Sequence, residues 1–246
     1  MSLVSIIIPY FKKKNHIKLT IKSILNQRYK NIEIIIIYDN SNKNELKFIE
    51  KIKKLDKRIQ IIVNNKNIGA GASRNKAIKK SKGKYIAFLD ADDLWRPKKL
   101  QKQISYMKKN NIDISHTSYS IINDKNKVLS IRKANNLNFN DLVKSCDIGL
   151  STVVLKKKIL RNTLFANLKT KEDYVLWLKL AKKGFKFYGI KENLTSWRKT
   201  PDSLSSSIVQ KMIDGYRVYR IHLRYSLIKS LTKLIQLSFN YLKKNG

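Results

Sequence analysis

Four short apolar runs, each separated from the next by a stretch with helical spacing, leave this chain very few folds. The runs are Ser5-Ile6-Ile7-Ile8-Pro9-Tyr10, Glu33 to Tyr38, Ile59 to Val63 and Tyr85 to Leu89. They are short and rich in β-branched residues, so they read as buried strands, the first stopped by Pro9. Between them, Ile17 to Arg28 places Ile17, Ile21, Ile24 and Leu25 on one helical face. Leu46, Ile49, Ile52 and Leu55 mark a second helix, and Gly69 to Lys80 opens a third after a glycine-containing loop. Strands alternating with helices predict an α/β fold around a parallel sheet. Ligands of such sheets bind beyond the carboxyl ends of the strands. Tyr10, Asp39 and Asp90 to Asp92 all fall at those ends.

The acidic cluster Asp90-Ala91-Asp92-Asp93 directly follows the fourth run. Carboxylates this close repel one another unless a cation or hydrogen-bond donors sit between them. Oxygen ligands of this kind suit Mg²⁺ or Mn²⁺, and Mg²⁺ usually takes one or two carboxylates together with substrate phosphates. The cluster reads either as a metal-assisted site for a phosphate-bearing substrate or as a solvated turn with helix-capping aspartates. Its convergence with two other polar strand ends favours a shared site.

Six motifs stand in a fixed order along the chain. They are Val4 to Tyr10, Ser23 to Gln27, Ile37 to Ser41, Asn67-Ile68-Gly69 with Ala72-Ser73-Arg74-Asn75, Gly83 to Asp93, and Glu172 to Trp177. In this order they resemble an inverting family 2 glycosyltransferase of the bacterial surface-polysaccharide type, over roughly residues 3 to 205. The resemblance implies an α/β fold of the GT-A, Rossmann-like kind: a mixed, mainly parallel sheet flanked by helices, with a C-terminal helical extension. It implies a glycosyltransferase domain over residues 1–205 and a tail over 206–246. It also implies a nucleotide-sugar donor, with a UDP-sugar expected, a saccharide or lipid-linked saccharide acceptor, and a divalent ion, Mn²⁺ or Mg²⁺.

Carried over residue by residue, the resemblance makes Asp92 the direct metal ligand and Asp90 a ribose contact or a contact to metal-bound water. Pro9, Tyr10, Asp39, Arg74, Asp90, Ala91 and Arg198 are expected around the donor. Asp39 would meet the base, Tyr10 would stack beside it, and Arg74 would approach phosphate or base. Arg198 would lie near the diphosphate, in a segment running from Trp197 to Ser205 that either closes over the donor or is an exposed linker. The family's usual Asp-Asp pair is Tyr38-Asp39 here, so one carboxylate is missing. Asp93 reads equally as a cap on the segment that follows. Asp173 is the expected general base, with Glu172 supporting it or orienting the acceptor. One base suffices for inversion, because a metal rather than an acid assists the leaving diphosphate. Acidic residues at a helix start are also ordinary capping chemistry. Trp177 reads as core, and Ile112 to Val128 and Ile148 to Val154 read as strand-rich.

Charge bears on the partners. Lys and Arg number 53 against 17 Asp and Glu, a net +36. Such a balance attracts nucleic acid, anionic membrane or phosphorylated substrates. Over-use of Lys, Asn and Ile, as in an A+T-rich genome, accounts for much of it as solvated surface. No nucleic-acid motif accompanies the charge, so no specific nucleic acid is expected. A nucleic-acid-binding protein and an inactive GT-A scaffold are the alternative readings. Cys146 is the sole cysteine and is expected to be small and buried; His16, His116 and His222 have no zinc-type spacing and are expected at the surface or behind the site. No apolar stretch reaches about 18 residues, so no membrane-spanning helix is expected. These features suggest a cytoplasmic location.

Residues 208–244 read as helical. From Leu223 onward a helical wheel collects Leu223, Leu227, Leu231, Leu234, Leu237 and Tyr241 on one side, opposite Lys229, Lys233, Lys243 and Lys244. A basic amphipathic helix suits an anionic membrane surface, here the cytoplasmic face of the inner membrane. Packing on its own domain or on a second subunit, as a homodimer, is the other reading.

Overall fold

The computed structural model describes residues 1–200 and 207–245, and no side chain beyond residue 243; the expected loop at residues 201–205 and the Lys244 side chain lie outside the described part. The N-terminal half alternates as β1 (Val4–Tyr10), α1 (Lys14–Leu25), β2 (Ile32–Tyr38), α2 (Lys43–Lys53), β3 (Ile59–Val63), α3 (Ala70–Lys80) and β4 (Tyr85–Phe88). All four apolar runs are strands, paired in parallel in the order β3-β2-β1-β4. Strict alternation sends Ile6, Ile8, Ile34 and Ile36 to one face, where α1, α2 and later α4 pack. Ile7, Ile35, Ile37 and Phe88 go to the other. A strand between two helical layers needs apolar residues on both faces, which is why these runs do not alternate with polar residues.

Pro9 does not stop β1. It lies inside the strand, in register with Ile37. Odd-numbered residues of β1 face β4, as the Leu89 N–H bond to the Ile7 carbonyl shows. The missing proline N–H therefore points to the β4 side, where the β1–β4 ladder ends at the Ile7–Phe88 pair.

The sheet continues through β5 (Leu94–Trp95), β6 (Ile114–Ile122), β7 (Val128–Arg132), β8 (Val154–Lys156) and β9 (Tyr188–Arg198). From β4 the order is β8-β6-β9-β5, with β7 on β6; β6–β9 is parallel and the other pairs are antiparallel. Helix α4 (Lys99–Lys109), the short α5 (Phe139–Leu142) and α6 (Glu172–Lys182) cover this half. The strand expected over Ile148 to Val154 is instead a 3₁₀ turn, Leu150–Thr152, leading into β8. Side chains capture its carbonyls: Trp95 Nε1–H donates to Ser151 and Gln103 Nε2–H to Thr152. Two further expectations fail. Cys146 is exposed. His116 is buried inside β6, its Nε2–H donating to the Asn135 carbonyl at 2.8 Å.

The tail is not one helix. α7 (Ile208–Arg217) runs into a π turn, Val218–His222, and α8 (Leu227–Asn245) then folds back along α7. Met212 meets Ser238, and Lys211 lies over the Tyr241 ring. Val218, Tyr219, Leu223, Leu234 and Leu237 join the buried cluster that contains Trp177. Leu227, Leu231 and Tyr241 remain exposed, so the stripe seen on the wheel is divided between core and solvent. Among the described residues no helix is long and apolar enough to cross a membrane.

Candidate active site

The site forms where β1, β2 and β4 end. Asp90 leaves β4 with its N–H bonded to Ser151 Oγ at 3.0 Å. Arg74 is buried in α3 and acts as a bridge. Its Nη2 donates to Asp90 Oδ1 at 2.7 Å and its Nη1 to Glu172 Oε1 at 2.6 Å. One guanidinium thus joins residues 16 and 98 positions away in sequence. Its planar fork suits two carboxylates better than an ammonium would. Gly71 makes room: a Cβ there would lie 2.9 Å from the Ala166 carbonyl and 3.2 Å from Glu172 Cγ. Asn75 exchanges two hydrogen bonds with Phe165, fastening α3 to the loop before α6.

Glu172 and Asp173 are the first residues of α6. Asp173 Oδ1 accepts the Tyr174 N–H at 2.7 Å. Burial, reinforced by the Glu172 charge, pushes the Asp173 carboxyl up to about 7, while Arg74 pulls the other way. A carboxyl in that range can take a proton near neutral pH.

Asp92 pairs with Lys13 Nζ at 2.7 Å, and Lys13 also donates to Thr200 Oγ1 at 3.1 Å. Burial raises the Asp92 pKa; Lys13 opposes this and the Asp90 charge adds to it. Asp93 is fully buried. Its Oδ1 accepts the Arg198 N–H, its Oδ2 has no hydrogen-bond partner, and burial with the neighbouring carboxylates raises its pKa strongly. The Arg198 guanidinium donates to the carbonyls of Asp92, Asn123 and Asp124 and to Asn126 Oδ1. It clamps the β6–β7 turn against the acidic cluster, and a contact to a diphosphate would require those bonds to be given up.

Asp39, buried at the end of β2, accepts from Asn64 Nδ2 and from the Ile68 and Gly69 N–H groups at 2.8–3.0 Å. It pins the loop that starts α3, where Gly69 takes φ +86°, a conformation other residues rarely adopt. Tyr10 does not offer a ring face to a base. It is fully buried, stacked on Tyr38 with centroids 5.8 Å apart, and its hydroxyl donates to Glu45. Pro9 is partly exposed beside it. Ala91 is buried, its carbonyl accepting from Thr20 Oγ1.

The structure therefore gathers Arg74, Asp90, Asp92, Glu172 and Asp173 around one network, with Asp39 on the flanking loop. Sequence reasoning missed Lys13 and Ser151. Lys13 sits in a run of three lysines and carries no distinguishing signal.

Among the described residues no group of three or more His, Cys, Asp or Glu side chains is arranged to hold a metal ion. The donor set nonetheless fits a hard cation. Asp90 and Asp92 are close enough for one to raise the pKa of the other, and both are oxygen ligands. Mg²⁺ is commonly held by one or two carboxylates with substrate phosphates completing the shell.

A strand order of β3-β2-β1-β4 with its polar residues at the carboxyl ends of the strands defines a doubly wound α/β protein, and the mixed extension defines the GT-A form of it. The chain belongs to glycosyl transferase family 2, whose family model matches residues 5–169, and it is a glycosyltransferase. It is 33% identical over 244 residues to TuaG of Bacillus subtilis (strain 168), provisionally named a teichuronic acid biosynthesis glycosyltransferase, covering 98% of this chain and 97% of TuaG. It is 39% identical over 213 residues to the Escherichia coli UDP-Glc:alpha-D-GlcNAc-diphosphoundecaprenol beta-1,3-glucosyltransferase WfaP, covering 87% and 84% of the two chains. Among solved structures, S. aureus TarS 1-349 in complex with UDP-GlcNAc superposes with a TM-score of 0.75 at 18% identity, over 95% of this chain and 70% of that one. The Pyrobaculum calidifontis mannosyltransferase PcManGT, in complex with GDP-Man and Mn²⁺, gives 0.69 at 13% identity, over 91% and 64%.

Proposed function

We propose that this chain moves a hexosyl group, with inversion, from a UDP-sugar to a lipid-linked saccharide. The reaction depends on a divalent metal and serves surface-polysaccharide synthesis at the cytoplasmic face of the inner membrane. The observation that carries the proposal is the Arg74 bridge between Asp90 and Glu172, which holds a donor-side cluster and an acceptor-side pair in one network. Its chemistry agrees with the donor and acceptor in WfaP's name and with the UDP-GlcNAc bound by TarS. Residues 1–205 carry the reaction in this reading, and 206–246 form a distinct functional segment.

Asp92, with Asp90 beside it, would hold Mn²⁺ or Mg²⁺, which would supply positive charge against the departing diphosphate. Lys13, paired with Asp92 here, would yield that carboxylate to the ion and keep its ammonium in the region of diphosphate charge. Asp39 accepts from the base while keeping the Ile68–Gly69 loop in place. Arg74 holds Glu172 so that it can orient the acceptor hydroxyl. Asp173 takes the proton of that hydroxyl as its oxygen attacks the anomeric carbon. The bond from that carbon to the diphosphate oxygen breaks on the opposite face, which inverts the configuration.

Calorimetric titration of UDP with and without Mn²⁺, on the wild type and on Asp92→Asn, tests the donor side. Metal-enhanced UDP binding should disappear in the variant while its thermal unfolding stays cooperative. Equal UDP–Mn²⁺ binding by both proteins rules out Asp92 as ligand. A product whose anomeric configuration by NMR matches the donor's rules out inversion.

A further inference from the structure

The tail hairpin has two apolar surfaces, and the core uses only one. On the other, Ile228, Leu231, Ile235, Phe239 and Leu242 recur every three or four residues along α8. Four of the five are 66–75% exposed. Exposed Ile208, Val209, Met212 and Ile213 of α7 lie alongside, because Met212 Sδ meets Ser238 Oγ at 3.5 Å, between the turns that carry Ile235 and Leu242. Of this stripe only Leu231 belongs to the leucine side that the helical wheel selected. Leu223, Leu234 and Leu237 are committed to the protein's own core. Contiguous exposed apolar surface of this extent marks an interaction site.

Charge selects the occupant. From Ser207 to the end the chain carries eight Lys and Arg residues and one acid, Asp214. Asp214 is fully buried, with Thr170, Gln210 and Arg217 bound to its carboxylate. The hairpin therefore shows no negative charge to solvent, and a second copy would set two such basic surfaces against each other. An anionic bilayer matches both features: hydrocarbon for the stripe, headgroups for Lys229, Lys243 and their neighbours.

We propose that the α7–α8 hairpin docks on an anionic membrane, with the Ile228–Leu242 stripe inserted into the leaflet. The hairpin is also fixed to the site. Asp214 of α7 accepts from the Thr170 N–H and hydroxyl at 2.9 and 3.0 Å, two residues before Glu172. Gly215 keeps α8 close, since a Cβ there would lie 2.8 Å from Leu234 Cδ1. Docking therefore holds the Glu172–Asp173 end of the site at a constant position relative to the lipid. The docking itself is independent of the proposed reaction; its use in reaching a lipid-linked acceptor rests on that reading.

Removing the tail is a poor test, because Val218, Tyr219, Leu234 and Leu237 are core. The test is co-sedimentation of the full chain with vesicles of phosphatidylcholine alone or with about one-third phosphatidylglycerol, at physiological salt, where bare charge attraction is screened. The wild type should bind the anionic vesicles. The exposed-face variant I235Q/F239Q/L242Q should bind them at least about tenfold more weakly, one decade being about 1.4 kcal/mol. L129Q/I131Q, on the exposed side chains of β7, should bind as the wild type does. A second readout does not need the triple variant to fold: Phe239→Trp should gain blue-shifted emission, quenched by brominated lipid, on anionic vesicles. Equal vesicle binding by wild type and triple variant, or an indole emission from Phe239→Trp that lipid leaves unchanged, overturns the proposal. So does a wild-type dimer in sedimentation velocity that the triple variant splits, since the stripe would then be covered by a second copy. UDP titration reports separately on the reaction, so a failure of docking and a failure of the proposed function are distinguishable.

Discussion

Replacing Asp173 by Asn separates a catalytic carboxylate from a helix cap, because the two roles predict opposite changes in stability. The wild-type carboxyl titrates at about 7, raised chiefly by burial and then by Glu172. An unfolded Asp titrates near 3.9, so the folded state binds the proton more tightly. A folded pKa above the unfolded one gives stability that is complete below the unfolded value and is lost as pH rises through the folded value. The whole shift corresponds to about 4 kcal/mol at pH 8 and about 1 to 2 kcal/mol at pH 5. Since Arg74 can relax toward Glu172 and share the strain, about half of each figure is expected. The asparagine of Asp173→Asn carries no charge and still accepts from the Tyr174 N–H, so the variant should gain about 2 kcal/mol on the wild type at pH 8 and about 1 kcal/mol or less at pH 5. Urea unfolding at the two pH values reads this directly. Sugar transfer should fall by about 10²-fold or more, the scale of a lost general base. In the wild type kcat/KM should rise with pH through about 7. A variant that is destabilised at both pH values would show that Asp173 serves as a cap under no electrostatic strain. One that transfers sugar at near the wild-type rate would move the base elsewhere.

Arg74→Lys keeps one positive charge but cannot span Asp90 and Glu172, so it should cost about 2 kcal/mol in urea unfolding and at least about tenfold in kcat/KM. Matched stability and activity in that variant would reduce the bridge to an incidental contact. Gly71→Ala should lower kcat/KM by displacing Glu172 and the Ala166 carbonyl, even though alanine favours a helix by about 1 kcal/mol; a fully active, more stable variant would show that the space is adaptable. Burial holds the His116 imidazole down at about 4, against about 6.5 unfolded, so its contribution to stability is complete above that value and is lost as pH falls through 4. Between pH 7.5 and 5 the wild type should lose about 2 kcal/mol that His116→Gln does not lose, measured by denaturant unfolding at each pH.

Local pattern accounts for the N-terminal half. Runs such as Ile34 to Ile37 have apolar side chains for both faces of a sheet, and the helical stripes between them have one face to bury. Parallel pairing, and with it the clustering of strand-end residues, follows from that alternation. The order of six motifs pointed to the family to which the chain belongs. Where a local pattern had more than one way to be buried, the tertiary structure decided. The 3₁₀ turn at Leu150–Thr152 exists because Trp95 and Gln103 reach its carbonyls. Tyr10 is closed to ligands because it is buried with Tyr38 stacked on it. Arg198 is engaged by the β6–β7 turn, whose position no residue near Arg198 encodes. The tail shows the difference most clearly. Its periodicity allows apolar residues on more than half of the helix surface, and a wheel cannot say which arc meets the core. The close approach at Gly215 and the Asp214–Thr170 bonds turn Leu234 and Leu237 inward, which leaves Ile228, Ile235, Phe239 and Leu242 in solvent. Helix formation is a local free-energy balance, but the direction a helix faces is set by contacts between residues distant in the chain.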